Sequence, residues 1–538
     1  MKSSSSPEQY VKIESPEPHN AFNPDTPVRF TVATGADSDV LYCTVHDLID
    51  GTRQEHIIEQ RRSGTKKFQF QPEVKNGCYR CVFSLPGCEP VEQYFAYAPA
   101  EAGARLKDDW PLAIHITDKD PIPLPGFKWC RYFAMWPDLN PEPGVYSWAP
   151  LDRAYSSAKS AHMKMLAASD GAPVWTSSRG KVQMDWSKNA TAYPPDDMED
   201  LKQYLAAMRT RYDDGSGTLA GWEMWNEANT FQRYQGSYVQ LVEMAKIFRE
   251  EADKASPPIE VGGICVSAGH HEAFVEDTAA AGILDHIDVV SGHFYEEMHS
   301  YEIESPVNNL PKHAAMLRRP LERLGYRLPI HNSECGIAPF PRQPDRIPRQ
   351  EEVDRYYRQA GVPDHKFPWI TREGWRTVSE FRGAAEFAAG IVMLMAEGVT
   401  RSYAYLHQGW LYRNAPTLYW VAVSVLGNHI RNVDYNDVTR VDAELMLETD
   451  QLGVLAYRLG NRAGPHVTVV WSYRRDLSKG RSKLWQPWLD PVPVRLAVKD
   501  GPVILSDLYG RSREEITAAN GTVELKAGEE PCYLIRQR

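Results

Sequence analysis

The stretch Leu219-Ala220-Gly221-Trp222-Glu223-Met224-Trp225-Asn226-Glu227 is an apolar run that ends on a carboxylate. Strands buried on both faces read as such runs rather than as a polar–apolar alternation. A carboxylate at the C-terminal end of one points into the mouth of a β/α barrel, the face where that fold keeps its chemistry. A second stretch repeats the pattern: Leu328-Pro329-Ile330-His331-Asn332-Ser333-Glu334. The interval between them has room for two further strands with their helices.

Working outward, candidate strands fall at 112–117, 129–136, 164–169, 219–227, 260–266, 288–295, 328–334 and 402–408. Amphipathic segments alternate with them at 151–163, 196–213, 237–254, 272–284, 311–324, 376–397 and 416–431. In the second of these, Met198, Leu201, Leu205, Met208 and Tyr212 recur at helical spacing. Eight strands alternating with helices predict a (β/α)8 TIM barrel over 101–432. A doubly wound sheet would alternate too, but no Gly-rich phosphate loop follows any strand, so nucleotide binding has no support.

Both flanks read differently. Residues 1–24 are polar and proline-rich and predict a tail. Short alternating runs separated by turn residues over 25–100 predict an N-terminal, Ig-like β-sandwich. After Asn432 short strands return, among them Leu455–Arg458, Val467–Trp471 and Cys532–Ile535. They predict a C-terminal β-sandwich over 433–538, joined to the last barrel helix without a flexible linker.

The 538 residues exceed what one core organises, and their 42% apolar and 24% charged content belongs to folded chains. A net charge of −11 argues against nucleic acid and anionic membranes as partners. No stretch approaches the roughly 20 apolar residues that span a bilayer. The segment Met1–Glu8 lacks the apolar centre of a signal peptide, which leaves a cytoplasmic protein or a secreted or periplasmic one whose signal was removed. Fifteen Trp and 27 Tyr suit either large cores or a ligand with apolar faces, such as a sugar. Of eight cysteines, Cys78 and Cys81 form a C-x-x-C without a second knuckle, so buried thiols or one disulfide are expected rather than zinc. The run His270-His271-Glu272 is read as a loop and helix start, because neighbouring imidazoles point apart. No metal and no cofactor is implied.

The motif Trp225-Asn226-Glu227-Ala228-Asn229, with Glu227 ending strand four and Glu334 ending strand seven, resembles clan A of the retaining glycoside hydrolases. A loop after strand two, Trp136 to Trp148 followed by Leu151-Asp152, is similar to that of several families of the clan, β-xylosidases and β-galactosidases included. The resemblance spans about 105–432. It implies a carbohydrate substrate, with Glu227 as acid/base, Glu334 as nucleophile and Asn226 on the sugar 2-hydroxyl. It also implies Tyr295 at the nucleophile and His293 on the substrate. A general acid must stay protonated near neutral pH, whereas a nucleophile must stay ionised, so two carboxyls in different surroundings are what double displacement needs.

Other candidates come from the residues themselves. Arg131 on strand two alternates inward and would hold Glu334 ionised by charge pairing, or form a structural ion pair. Strand eight offers Tyr403, Tyr405, His407, Gln408 and Trp410, with Trp410 the candidate sugar platform. His115 after strand one and Asp170 after strand three are candidate hydroxyl contacts. A long Pro-, Arg- and aromatic-rich loop, 338–375, would shape the site. Two alternatives stay open: a catalytically silent sugar-binding barrel, and a transglycosylase that shares the covalent intermediate.

Overall fold

The computed structural model describes residues 11–35, 38–59, 67–117, 124–181, 190–267, 271–294, 310–336, 351, 358, 372–405, 410–462, 464–474 and 491–536. Its centre is a closed barrel of eight parallel strands. In chain order these are β1 (Leu112–His115), β2 (Trp129–Phe133), β3 (Lys164–Ala168), β4 (Leu219–Glu223), β5 (Glu260–Val266), β6 (Val289–His293), β7 (Ile330–Cys335) and β8 (Val399–Ala404). β8 closes on β1 through Ser402, Tyr403 and Ala404. All eight expected strands are present, several shorter at their C-terminal ends than their apolar runs suggested. β4 stops at Glu223, four residues before Glu227.

Among the described residues six long helices return the chain between successive strands from β2 to β8, α1 (Ala149–Ser160), α2 (Met198–Tyr212), α3 (Tyr238–Ala252), α4 (His271–Ala280), α5 (Leu310–Arg323) and α6 (Arg372–Ala396), and α7 (Leu418–Ile430) follows β8. Local chemistry starts them where the strands need them. Asp197 accepts from the Glu199 amide at the head of α2, and Ser237 with Gln240 forms a reciprocal capping box on α3. Gly383 on α6 lies against the Tyr419 ring, and a side chain there has no room, so α6 and α7 approach closely.

The barrel interior is filled in layers. Near the N-terminal ends of the strands, Ala113, Trp129, Leu166 and Tyr403 pack as one cluster. Arg401 lies over the Trp129 ring at 3.8 Å and reaches Glu260 at 3.4 Å. Higher up the interior turns polar, and that layer carries the candidate site.

Before the barrel lie a five-stranded and a three-stranded sheet with a shared core that includes Phe22, Phe30, Val32, Leu41, Phe83 and Phe95. The expected tail is partly structured. Val11–Glu14 pairs antiparallel with Phe30–Thr34, and His19 to Phe22 are buried. Lys12 and Glu14 are exposed on that edge strand, which is why the segment reads as polar. After the barrel come a six-stranded and a three-stranded sheet with a core of their own. The six-stranded sheet also packs Leu455, Tyr457, Val467, Val469 and Trp471 into one apolar cluster with the helical shell of the barrel, at α6 and α7.

None of the eight cysteines is in a disulfide. Cys78 and Cys81 lie three apart on one strand, so they face opposite sides: Cys78 joins the barrel core and Cys81 the sheet core. Among the described residues no helix is long and apolar enough to cross a membrane.

Candidate active site

The upper layer of the barrel is organised by Arg131, which β2 carries fully buried. Its Nε donates to Glu223 at 2.8 Å, and Nη2 donates to the same carboxylate at 2.5 Å and to Asn226 Oδ1 at 2.8 Å. Nη1 reaches Glu334 at 3.3 Å and His115 at 3.1 Å. Its planar face rests on the Phe133 ring at 4.6 Å. A guanidinium out of water requires this degree of pairing.

Glu223 is the partner the sequence reading passed over. It sits four residues before Glu227, on the inward side of β4, and its second oxygen accepts from Ser291 at 2.6 Å. Burial alone would raise this carboxyl, but Arg131, then His293 and the hydroxyl hydrogen bonds outweigh it and hold Glu223 below the usual glutamate range.

Beyond β4 the chain turns to present Glu227. The Met224 amide still reaches β5 at Gly262, the Asn226 amide donates to Ser169, and the Ala228 amide donates to Cys265. Glu227 takes a left-handed backbone, φ 50°, which is unfavourable for a side chain of this kind and turns it away from the strand direction. One oxygen lies 3.0 Å from His293 Nδ1 and the other 3.7 Å from Arg233. β7 delivers Glu334, 8% exposed, to the same imidazole nitrogen at 3.3 Å. The two carboxylate oxygens that share this nitrogen are therefore no farther apart than the sum of those two distances, about 6.3 Å.

The ring between them is 1% exposed. Its other nitrogen, Nε2, lies 3.2 Å from the Cys265 sulfur. Burial opposes charge on this imidazole, but Cys265, Glu334 and the hydrogen bond with Glu227 prevail and push it well above the ordinary histidine range. His293 thus lies between the glutamates, where the sequence reading expected a substrate contact.

Five further candidates have the following surroundings. His115 is 1% exposed, with Nε2 at 3.1 Å from both the Ser333 carbonyl and Arg131. Burial, then Arg131, depress it to about 3, so it is a neutral neighbour of Arg131 and is closed to solvent. Asp170 pairs with Arg233 at 2.7 Å, and burial pushes its carboxyl up to about 6 against that cation. Trp410, expected on strand eight as a platform, is fully buried. Its ring packs edge-on against Phe387 at 5.2 Å and also against Tyr419 and Phe127. β8 ends at Ala404, and the side chains of α6 and α7 enclose that indole, which takes it out of the site. Tyr403 is likewise buried in the lower layer, while Tyr405 meets the His115 ring edge-on at 4.8 Å.

Tyr295, His407 and Gln408 lie outside the described residues, as does nearly all of the 338–371 loop. The loop after β2 is fastened by Asn140, whose amide donates to Glu142 and Val145, and Trp136 stacks on Tyr204, so this tryptophan packs rather than faces a ligand. Of the His270-His271-Glu272 run, Glu272 pairs with Arg323.

Glu223, Cys265 and His293 bring ligand-type atoms within 4.8 Å of one another. They do not fit a metal, because both oxygens of Glu223 are engaged by Arg131 and Ser291 and a cation would face the guanidinium.

No family model and no curated protein matches this sequence. Among solved structures, a family 39 glycoside hydrolase from the gut symbiont Bacteroides cellulosilyticus WH2 aligns over 98% of this chain and all of its own, with TM-score 0.64 and 15% identity. The two chains share their overall fold. A family 30 subfamily 8 xylanase from Clostridium acetobutylicum aligns over 80% of this chain and 96% of its own, with TM-score 0.47 and 14% identity.

Proposed function

We propose that this chain is a retaining β-glycoside hydrolase that cleaves an oligo- or polysaccharide by double displacement. The reading rests on one observation above others: Glu227 and Glu334 share a single imidazole nitrogen, within 3.0 and 3.3 Å. Carboxyl groups about 5–5.5 Å apart serve retention, whereas inversion needs about 6.5–9.5 Å to admit a water. The bound set by the shared ring favours the first.

In this reading Glu334 attacks the anomeric carbon and forms a covalent glycosyl-enzyme, while Glu227 protonates the departing oxygen. Water then attacks the intermediate, with Glu227 taking its proton. Arg131 stabilises the ionised form of Glu334. Asn226 has its carbonyl oxygen engaged by Arg131, so the amide NH2 is what it can offer a sugar hydroxyl. The partial exposure of the Glu227 side chain, 22%, suits a group that must meet both leaving group and water. The sheets flanking the barrel are read as two β-sandwich domains that support it. The buried contact of the six-stranded sheet with helices α6 and α7 is the support for that reading.

The test uses aryl β-glycosides with product stereochemistry followed by NMR. Glu227→Ala should retain its first step on activated aryl leaving groups and lose it on poor ones, and added azide should yield the β-glycosyl azide. Inverted products, or azide rescue of Glu334→Ala in place of Glu227→Ala, would overturn the assignment.

A further inference from the structure

We infer that Cys265 is a positioning residue of this site: its thiol sets the proton arrangement of His293, the ring that the two glutamates share. The inference rests on the glycosidase reading for its consequence, though not for its geometry. Pairing of β5 with β6 breaks register between Gly263 and Val266, and within that break Ile264 adopts φ 52°. A β-branched residue in the left-handed region is a costly conformation. Such an irregularity re-aims the next side chain. Here it brings Cys265, 1% exposed, to the ring with Sγ at 3.2 Å from Nε2.

The hydrogen-bond logic then follows from donor counting. Nδ1 faces oxygens of Glu227 and Glu334, and Glu334, the ionised nucleophile of this reading, only accepts, so Nδ1 carries a proton. At Nε2 two arrangements remain. A bare nitrogen accepts the thiol S–H; a protonated one donates to the sulfur. The sulfur therefore governs whether the ring carries one proton or two, and the ring in turn sets the field at both glutamates. The groups that face or surround this ring are Glu227 and Glu223 from β4 and its turn, Glu334 from β7, Cys265 from β5, Arg131 from β2 and His115 from β1. Arg233 and Asp170 stand behind Glu227.

The same residue fastens the turn that bears Glu227. Its carbonyl accepts from the Ala228 amide at 3.1 Å. Two residues on, the Ser267 amide donates to Asn229 at 2.9 Å and the Ser267 carbonyl accepts from the Asn229 side chain at 3.3 Å. One short segment of β5 thus holds Glu227 by its backbone and tunes its neighbour by a side chain.

Full-length Cys265→Ala and Cys265→Ser should be compared in the pH profile of kcat/KM on an aryl glycoside. The titration of His293 should be followed by 15N-histidine NMR, with its resonance identified by loss in His293→Gln. Loss of the sulfur should move the alkaline limb and the ring titration of the alanine variant to lower pH by about half a unit or more, with kcat falling more than KM changes. Serine, whose hydroxyl oxygen can still accept from a protonated Nε2, should restore part of the limb. A wild-type limb and ring titration in Cys265→Ala, or equal losses in both variants with the limb unmoved, would make Cys265 a packing residue and overturn the inference. Absence of glycosidase activity in the parent enzyme would instead overturn the functional reading, and the ring titration would still decide the role of Cys265.

Discussion

Among the described residues of the barrel two arginines are buried, one above the other, and they live in opposite circumstances. Arg131 in the upper layer uses all three nitrogens on side-chain partners, with Glu223 held by two of its bonds. Arg401 in the lower layer spends one nitrogen on two longer contacts, Glu260 and the Tyr403 hydroxyl, both at 3.4 Å, rests on the Trp129 face, and leaves its buried Nε without a hydrogen bond. The carboxylates respond in kind. Glu223 is held below its ordinary range because Arg131 and its neighbours outweigh burial, whereas Glu260 is raised because burial outweighs Arg401. The lower pair closes the floor of the barrel with an aromatic lid on its charge. The upper one concentrates positive charge where carboxylates must remain ionised at neutral pH.

Several experiments can break or sharpen this contrast. The largest effect should come from Glu334→Gln, which removes the proposed nucleophile from the upper layer. Turnover should fall by roughly 10⁴-fold or more while the fold persists, and steady-state kinetics with circular dichroism would check both. Next, Glu223→Gln leaves Arg131 buried without its principal charge partner and should cost about 3–5 kcal/mol of stability at pH 7 in denaturant melts. Its lower-layer counterpart, Glu260→Gln, should stay within about 1 kcal/mol. Equal losses in the two would erase the distinction.

The smallest and most diagnostic effect is in pH. Glu223 is depressed on folding, so its contribution is present above the ordinary glutamate pKa of about 4.3 and is lost as pH falls through the folded value. Glu260 is raised, so its contribution is present below that ordinary value and is lost as pH rises through the folded one. Melting temperatures across pH 3–8 should therefore show the Glu223→Gln deficit narrowing towards acid. Glu260→Gln should gain on the parent towards neutrality.

Most of the barrel was legible because parallel strands buried on both faces must be apolar, and eight such runs alternate with helical periodicity. Strand ends were less so. Met224 and Trp225 prolong the run after Glu223, yet their burial comes from loop packing, with the Trp225 indole donating to Arg233 and meeting the Tyr234 ring. Trp410 was misplaced for a related reason. A strand that ends at Ala404 cannot carry it to the mouth, and an indole packs among aromatics as readily as against a sugar. Glu223 could have been found, since it shares a strand face with Gly221, which meets Leu166 and Trp129 in the interior, opposite an inward Arg131. Cys265 could not. Its direction depends on the backbone of Ile264, and no residue pattern announces a left-handed isoleucine.

The left-handed backbone of Glu227 carries a consequence for anyone selecting variants of this protein. Glycine at that position would relieve the steric cost that a glutamate bears at φ 50°. A campaign scored only on heat resistance would be drawn to Glu227→Gly and would enrich it. Its hits would be sturdier proteins that had discarded the proposed acid, so a screen on this scaffold has to read turnover alongside survival.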